Sequence, residues 1–315
     1  MRVYGPIPSR RFGLSLGIDI VPHKTCQLDC IYCQLGPTAE TTVTPSCFFP
    51  IDDIIRDVQE ALREGPAPDV ITLAGSGEPT LYTGLETLIT RLKEVSDAPV
   101  LLITNGVMLR DPMVVKAAML ADILAPSLDA GDAQTFARIN RPHPDIRFED
   151  VVQGLRDVTH AHPGEVRLEI MLIAGVNDTE AQLQALHEIV KTLRVDRIDL
   201  NTPVRPPIPE RGALPCDATV LARAKAIFGE KAHAIGAFVS RQIDSAGRST
   251  KEFLDIDKDV LEVLKRRPCT LNDICEGLRI TRSQATDALI RLQQAGLVRI
   301  SDVGEAAYYH ATQPR

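Results

Sequence analysis

The chain has 315 residues, of which 44% are hydrophobic and 24% are charged, and these proportions exclude a disordered, collagen-like or coiled-coil protein. Its 42 acidic and 35 basic residues give a net charge of −7, which argues against a surface built throughout to bind nucleic acid. No apolar run approaches the ~18 residues that span a bilayer. Because Met1–Pro6 also lacks the apolar stretch of a secretory signal, we expect a cytoplasmic protein.

Short apolar runs alternate with helical patterns between residues 13 and 240. Between the runs, apolar residues recur at helical spacing, for example over residues 51–62 and 183–193. Strands that alternate with helices predict right-handed βαβ units and a parallel sheet, and composition does not decide whether that sheet is open or curled into a barrel. The six predicted strands are Leu14–Ile20, Val70–Leu73, Val100–Thr104, Ile123–Leu128, Val166–Ile173 and Arg197–Leu200.

The last quarter of the chain has a different pattern. Residues 241–254 are polar and aperiodic, which is typical of a linker. After them come three helical patterns, two of which open with capping-box residues, and then two β-prone pieces around a turn that contains Gly304. Three helices followed by a hairpin resemble a winged helix-turn-helix. We therefore predict a large domain over residues 1–240, a linker over 241–254 and a winged helix over 255–315.

Three of the seven cysteines form the motif Cys26-x3-Cys30-x2-Cys33, directly after the first predicted strand. In a cytosolic chain such a cluster indicates a metal or redox site before it indicates disulfides. A structural zinc site needs a fourth protein ligand, and neither His23 nor Cys47 stands at a natural fourth position. A cubane iron–sulfur cluster held by three cysteines leaves one iron open for catalysis, so the spacing favours iron–sulfur over zinc or unliganded thiols.

The cysteine motif, with Tyr32 just before its third cysteine, resembles the signature of the radical S-adenosylmethionine (radical SAM) superfamily. The second predicted strand ends in Gly75-Ser76-Gly77-Glu78-Pro79, which resembles the family's GGEP motif with Ser76 in place of its first glycine. Both motifs follow the strands that carry them in the family. The resemblance covers roughly residues 10–240 and implies an α/β fold, a (β/α)6 partial TIM barrel, followed here by the winged helix.

This resemblance implies that Cys26, Cys30 and Cys33 bind a 4Fe–4S cluster whose open iron chelates S-adenosylmethionine. Reductive cleavage of that cofactor would give a 5′-deoxyadenosyl radical, which abstracts hydrogen from a substrate that the sequence does not identify. The reaction needs a reducing partner such as flavodoxin or ferredoxin.

Within the superfamily, the stretch from Tyr4–Arg11 through Gln34–Gly36 resembles a branch of predicted iron–sulfur oxidoreductases distantly related to the wyosine-forming tRNA enzymes. Those tRNA enzymes bind a second cluster through amino-terminal cysteines. Because this chain has no cysteine before Cys26, we do not expect a wyosine-type reaction.

The resemblance also implies which residues contact S-adenosylmethionine, although it names no catalytic residue. Glycines at the second strand end let the backbone approach the methionine ammonium, where backbone carbonyls or the Glu78 carboxylate would accept. At single Asn, Ser and Asp positions, the alternative is an ordinary helix cap or turn. The expected cofactor-binding residues are Tyr32, Gly75, Ser76, Gly77, Glu78, Asn105, Ser127, Asp129, Glu169 and Val176.

Two basic segments, residues 9–11 and 138–143, are candidates for substrate binding, with solvated loops as the alternative. The proline-rich residues 203–209 either cover the barrel mouth or leave it. The third helix of the winged helix carries Arg282, Gln284 and Arg291, a thin basic face.

We expect this domain to dock a peptide, protein or RNA substrate, with nucleic-acid binding or internal packing as alternatives. A rival hypothesis is an iron–sulfur redox-sensing regulator whose winged helix binds DNA. The Gly75–Pro79 motif favours the enzyme, because a sensor needs no turn that binds a sulfonium cofactor.

Overall fold

A computed structural model describes residues 2–9, 11–203, 211–235, 256–266, 268–278, 280–303 and 306–312. The described residues form two compact units, the first ending at Ile235 and the second beginning at Ile256. None of the described helices is long and apolar enough to cross a membrane.

The first unit is built on an eight-stranded sheet whose strands lie side by side in chain order. The strands are β1 (Val3–Ser9), β2 (Gly13–Ile18), β3 (Val70–Leu73), β4 (Val100–Thr104), β5 (Ile123–Pro126), β6 (Glu165–Met171), β7 (Arg197–Asn201) and β8 (Ala232–Ala234). β1 pairs antiparallel with β2, and all later neighbours are parallel. The six predicted strands correspond to β2–β7, so the predicted parallel sheet is confirmed, and β1 and β8 are additional strands.

Helices connect the parallel strands and bury their apolar faces against the sheet. They are α1 (Ile51–Glu64), α2 (Leu85–Val95), α3 (Pro112–Ala118), α4 (Ala133–Asn140), α5 (Phe148–Ala161), α6 (Glu180–Val190) and α7 (Ala218–Phe228). In α1, the helical spacing of Ile54, Ile55 and Val58 places all three in the core. Asp132 caps α4 by accepting a hydrogen bond from the Thr135 N–H, at 2.8 Å.

The sheet curves strongly, as a contact across it demonstrates. β2 and β6 are four strand spacings apart, about 19 Å in a flat sheet. Arg11, just before β2, nevertheless forms an ion pair with Glu169 on β6. The sheet is therefore curled with these side chains on its concave side. Among the described residues β1 pairs only with β2 and β8 only with β7, so the curled sheet stays open, as in a partial barrel.

The second unit contains three helices and a hairpin in the predicted order. Its elements are α8 (Ile256–Arg266), α9 (Leu271–Leu278), α10 (Arg282–Gln294), β9 (Val298–Val303) and β10 (Ala306–Ala311), with β9 and β10 antiparallel. The capping box between Thr281 and Gln284 is present at the start of α10. The linker predicted over residues 241–254 lies outside the described residues, so the domain boundaries placed there stay predictions.

Candidate functional site

The three cysteines of the motif lie in the loop that follows β2, and each sulfur faces one side-chain N–H donor. The donors come from three different parts of the first unit. Asn105 Nδ2 lies 3.6 Å from Cys26 Sγ, Asn140 Nδ2 lies 3.4 Å from Cys30 Sγ, and Lys24 Nζ lies 3.1 Å from Cys33 Sγ. N–H donors stabilise thiolate sulfur, and in iron–sulfur proteins they adjust the potential of the cluster.

The protein around the cysteines does not stabilise free thiolates by itself. Burial, together with the neighbouring Glu78 carboxyl, raises the pKa of Cys26 to about 11. Burial and the Asp129 carboxyl raise the pKa of Cys30 further above its usual range. A bound metal centre would favour the thiolate form of both residues, because metal ligation requires deprotonated cysteine.

A polynuclear cluster and a single metal ion place different geometric demands on the three cysteines. Within the described part of the chain, no three Cys, His, Asp or Glu side chains come together so that they could hold one metal ion. In a cubane cluster each cysteine binds a different iron, so the sulfurs need not converge on one point. The buried amide Nε2 of Gln27, next to Cys26, has no hydrogen-bond partner among the described residues, and a cluster sulfur would satisfy it.

The turn Gly75–Glu78, at the end of β3, is hydrogen-bonded to the residues that lead from β2 into the cysteine loop. The backbone N–H of Ser76 donates to Asp19 at 3.0 Å, and its hydroxyl donates to the same carboxylate. The carbonyl of Ser76 accepts from the Lys24 N–H at 2.5 Å. The Glu78 N–H donates to the Thr25 carbonyl at 2.9 Å. The two sequence motifs therefore form one braced structure.

This contact explains which positions of the turn must be glycine. Gly75 has φ +152°, and a Cβ there would lie 2.6 Å from the Asp19 carboxyl carbon. A Cβ on Gly77 would lie 2.2 Å from the Thr25 carbonyl oxygen. Ser76 is tolerated in place of glycine because its hydroxyl is a partner of Asp19.

Glu78 is buried, and its carboxylate is engaged entirely by protein donors. Thr80 donates through its hydroxyl at 2.7 Å and its N–H at 3.1 Å, and Thr104 donates its hydroxyl at 2.7 Å. The Asn105 N–H donates to the second oxygen at 2.8 Å. Burial raises the pKa of Glu78, whereas these hydrogen bonds oppose that shift. The side chain thus joins the ends of β3 and β4.

Four of the expected cofactor-binding residues line one small cavity: Tyr32, Asn105, Ser127 and Asp129. Asp129 is buried and accepts from the Tyr32 hydroxyl at 2.5 Å, from Asn140 Nδ2 at 2.8 Å and from the Met171 N–H at 2.9 Å. Burial raises the pKa of Asp129, and burial together with this carboxyl raises the pKa of Tyr32. Asp129 therefore fixes the ring of Tyr32 at the cavity wall.

The two remaining candidates are Glu169 and Val176. Glu169 is paired in register with Ser127, and its carboxylate forms the ion pair with Arg11. Val176 packs against an apolar cluster that Tyr32 also contacts. Of the first basic segment, Arg10 lies outside the described residues, as do residues 204–210 of the proline-rich stretch.

The second basic segment, residues 138–143, braces the cysteine loop. The carbonyl of Ile139 accepts from the Ile31 N–H at 2.9 Å, and the His143 N–H donates to the Gln27 carbonyl at 2.9 Å. Asn140, which sequence reasoning missed, donates to Cys30 from this segment. No local pattern indicates Asn140, because only the tertiary fold brings it to the cysteines.

Arg211 is a further residue that the sequence did not indicate. Its side chain is only 8% exposed, and its Nη1 donates to the Cys30 carbonyl at 2.8 Å while the guanidinium pairs with Asp29. Although burial acts in the opposite direction, the Thr38 N–H and the Arg211 guanidinium hold the pKa of Asp29 below its usual value. The signal available in the sequence was Asp29 itself, an acid inside the cysteine motif that needs a cationic partner.

Two family models match the chain. The family model for the radical SAM superfamily matches residues 20–186, and that for the MarR family matches residues 254–306. A protein named GTPase Obg from Brachyspira hyodysenteriae is 37% identical over 298 residues, which cover 95% of this chain and 43% of that protein. The chain thus spans less than half the length of that relative. A UPF0026 protein of Methanocaldococcus jannaschii is 33% identical over 229 residues, covering 72% of this chain and 71% of the relative.

A radical SAM methyltransferase from Sphaerobacter thermophilus superposes with a TM-score of 0.50 at 17% identity, covering 70% of this chain and 66% of that one, and supports the fold alone. Members of the matched superfamily use a 4Fe–4S cluster and S-adenosylmethionine. On the family match, the paired motifs and the fold, the chain belongs to the radical SAM superfamily of enzymes and carries a MarR-type winged helix at its carboxyl end.

Proposed function

We propose that Cys26, Cys30 and Cys33 hold a 4Fe–4S cluster with which this enzyme cleaves S-adenosylmethionine reductively. The observation that carries the proposal is the set of N–H donors, one at each sulfur, in a loop braced by the Gly75–Glu78 turn. A cluster held by these cysteines would supply one-electron reduction of the S-adenosylmethionine sulfonium, with the electron drawn from a reductant such as flavodoxin or ferredoxin; the products would be methionine and a 5′-deoxyadenosyl radical able to remove hydrogen from the substrate.

The residues of this chain then bind and orient the cofactor. We assign the backbone of Gly75–Gly77 to the methionine ammonium, because the Glu78 carboxylate has its partners within the protein. Ser127, on the cavity wall, is suited to the ribose or the carboxylate. The Asn105 side chain donates to Gln27 Oε1 at 2.9 Å and accepts from the Val107 N–H at 3.0 Å, so it orders this wall. Tyr32, held by Asp129, and Val176 pack against one apolar cluster, which suits the adenine edge and excludes water from it.

The direct test is formation of 5′-deoxyadenosine by the anaerobically reconstituted, dithionite-reduced protein after addition of S-adenosylmethionine. We expect formation by the wild type and a loss of at least about 100-fold in Cys30→Ala, because one cluster ligand is missing. Cys47→Ala removes an exposed cysteine outside the motif and should leave the rate unchanged. Equal rates in wild type and Cys30→Ala, or a loss in Cys47→Ala alone, would contradict the proposal.

For the winged helix, we propose that it docks the substrate macromolecule, a peptide, protein or RNA. The MarR-type match supports the alternative of a DNA-binding redox sensor. In α10, Arg282, Ser283 and Gln284 are exposed, whereas Arg291 forms an ion pair with Asp257 at 2.7 Å, which leaves little free positive charge for phosphates.

Titration with duplex DNA, followed by fluorescence anisotropy, distinguishes substrate docking from DNA binding by a redox sensor. At about 0.15 M salt we expect Kd values no tighter than the ~10⁻⁴–10⁻⁶ M of non-specific binding, with no change on Arg282→Ala beyond a few-fold. A Kd below about 10⁻⁸ M for a selected sequence, weakened by Arg282→Ala and dependent on cluster loading, would favour the sensor.

A further inference from the structure

Lys24 combines two features that no other donor around the cysteines has. Its backbone lies in the left-handed region, with φ 63°, and its N–H is held by the Ser76 carbonyl at 2.5 Å. Residues with a side chain rarely adopt this conformation, so the surrounding structure must stabilise it. From this position Lys24 Nζ lies 3.1 Å from Cys33 Sγ.

The three cysteine sulfurs have different electrostatic surroundings. Cys26 and Cys30 face the neutral amides of Asn105 and Asn140, and each also has a buried carboxyl nearby, Glu78 for Cys26 and Asp129 for Cys30. Cys33 faces an ammonium instead. A positive charge is therefore placed at one corner of the site, next to the last cysteine of the motif.

We propose that Lys24 sets the reduction potential of the cluster by donating an N–H from its ammonium to the Cys33 thiolate. This inference rests on the proposed function, since it requires a cluster bound by the three cysteines. One-electron reduction adds negative charge to the cluster without breaking a bond at Lys24. A cation at hydrogen-bond distance from one sulfur stabilises the reduced state more than the oxidised state, so the cluster is easier to reduce.

The experiment is a redox titration of the reconstituted protein without S-adenosylmethionine, with dithionite as the electron source and the EPR signal of the reduced cluster as the readout. We expect a more negative midpoint for Lys24→Met, with a ratio of reduced to oxidised cluster on the order of tenfold lower than wild type at the same potential. Lys24→Arg keeps the charge and should stay close to wild type. Lys24→Gln keeps a donor without the charge and should lie between wild type and Lys24→Met.

Lys191→Met is the matched control, because it removes the same charge from an exposed side chain that pairs with Glu188 on the surface. A midpoint for Lys24→Met equal to wild type, in protein with full iron content, would overturn the inference and leave the proposed function intact. If Lys24→Met and Lys24→Gln lose the cluster while Lys24→Arg keeps it, the inference is overturned, because Lys24 then has a purely structural role. If the wild type itself takes up no cluster, both the inference and the proposed function fail.

Discussion

Replacement of Glu78 by alanine should lower the free energy of unfolding by about 3–5 kcal/mol. The reason is that this buried carboxylate accepts four hydrogen bonds, and its removal leaves donors of Thr80, Thr104 and Asn105 without a partner in the interior. Urea unfolding of the cluster-free protein, followed by circular dichroism, measures the effect. The change should also reduce iron uptake, because Glu78 holds the backbone of Asn105, whose side-chain amide lies next to Cys26.

Two further variants separate this effect from the loss of a charge. Glu78→Gln keeps one carbonyl acceptor of nearly the same size and should cost only about 1–2 kcal/mol. Glu94→Ala removes an exposed glutamate of α2 and should change stability by no more than about 0.5 kcal/mol. If Glu78→Ala is no less stable than Glu94→Ala, the carboxylate does not join β3 to β4 as described.

The second large effect is expected at Arg211, where replacement by methionine should cost about 2–4 kcal/mol at neutral pH. The substitution removes the guanidinium from Asp29 and from the Cys30 carbonyl while it keeps much of the apolar volume. Although burial acts in the opposite direction, the Thr38 N–H and the Arg211 guanidinium together hold the pKa of Asp29 below its ordinary value of 3.8, so the unfolded chain binds the proton more readily than the folded one. The stabilisation is therefore present above that value and is lost as the pH falls through the lower folded pKa.

Urea unfolding at pH 7 and at pH 3 checks this dependence. The difference in the free energy of unfolding between wild type and Arg211→Met should be largest at pH 7 and smaller at pH 3. Lys191→Met serves again as a control, since its ion pair is exposed and should contribute at most about 1 kcal/mol. A difference that is constant with pH, or that grows on acidification, would show that the Arg211–Asp29 pair does not stabilise the loop.

The strands that sequence patterns predicted are those whose apolar runs are buried in the sheet, β2–β7. β1 was not predicted because Pro6 and Pro8 interrupt its apolar pattern. The strand forms nevertheless, since proline is tolerated at the edge of a sheet. β8 is only three residues long, Ala232–Ala234, and two of them are exposed, so it has no apolar run to detect. The winged helix was predictable because its helices begin with capping residues, such as Thr281 and Gln284, that act locally.

The candidate site follows the same division between local and tertiary signals. Cysteine spacing and the Gly75–Pro79 motif are local patterns, and both could be recognised in the sequence. The donors Lys24 and Asn140 could not be predicted, because their side chains reach the sulfurs only after the chain has folded. Residue type also gave no indication that Glu78 points into the protein, since a glutamate in a motif is equally compatible with ligand contact and with a buried structural role.

The most direct test of the central claim is the metal and sulfide content of the anaerobically reconstituted chain. We expect iron and acid-labile sulfide in equal amounts, about four of each per chain, together with an EPR signal after reduction. Alanine at Cys26, Cys30 or Cys33 should abolish this loading, whereas alanine at Cys216, a buried cysteine outside the motif, should not. Zinc bound in place of iron, or iron that survives the loss of a motif cysteine, would contradict it.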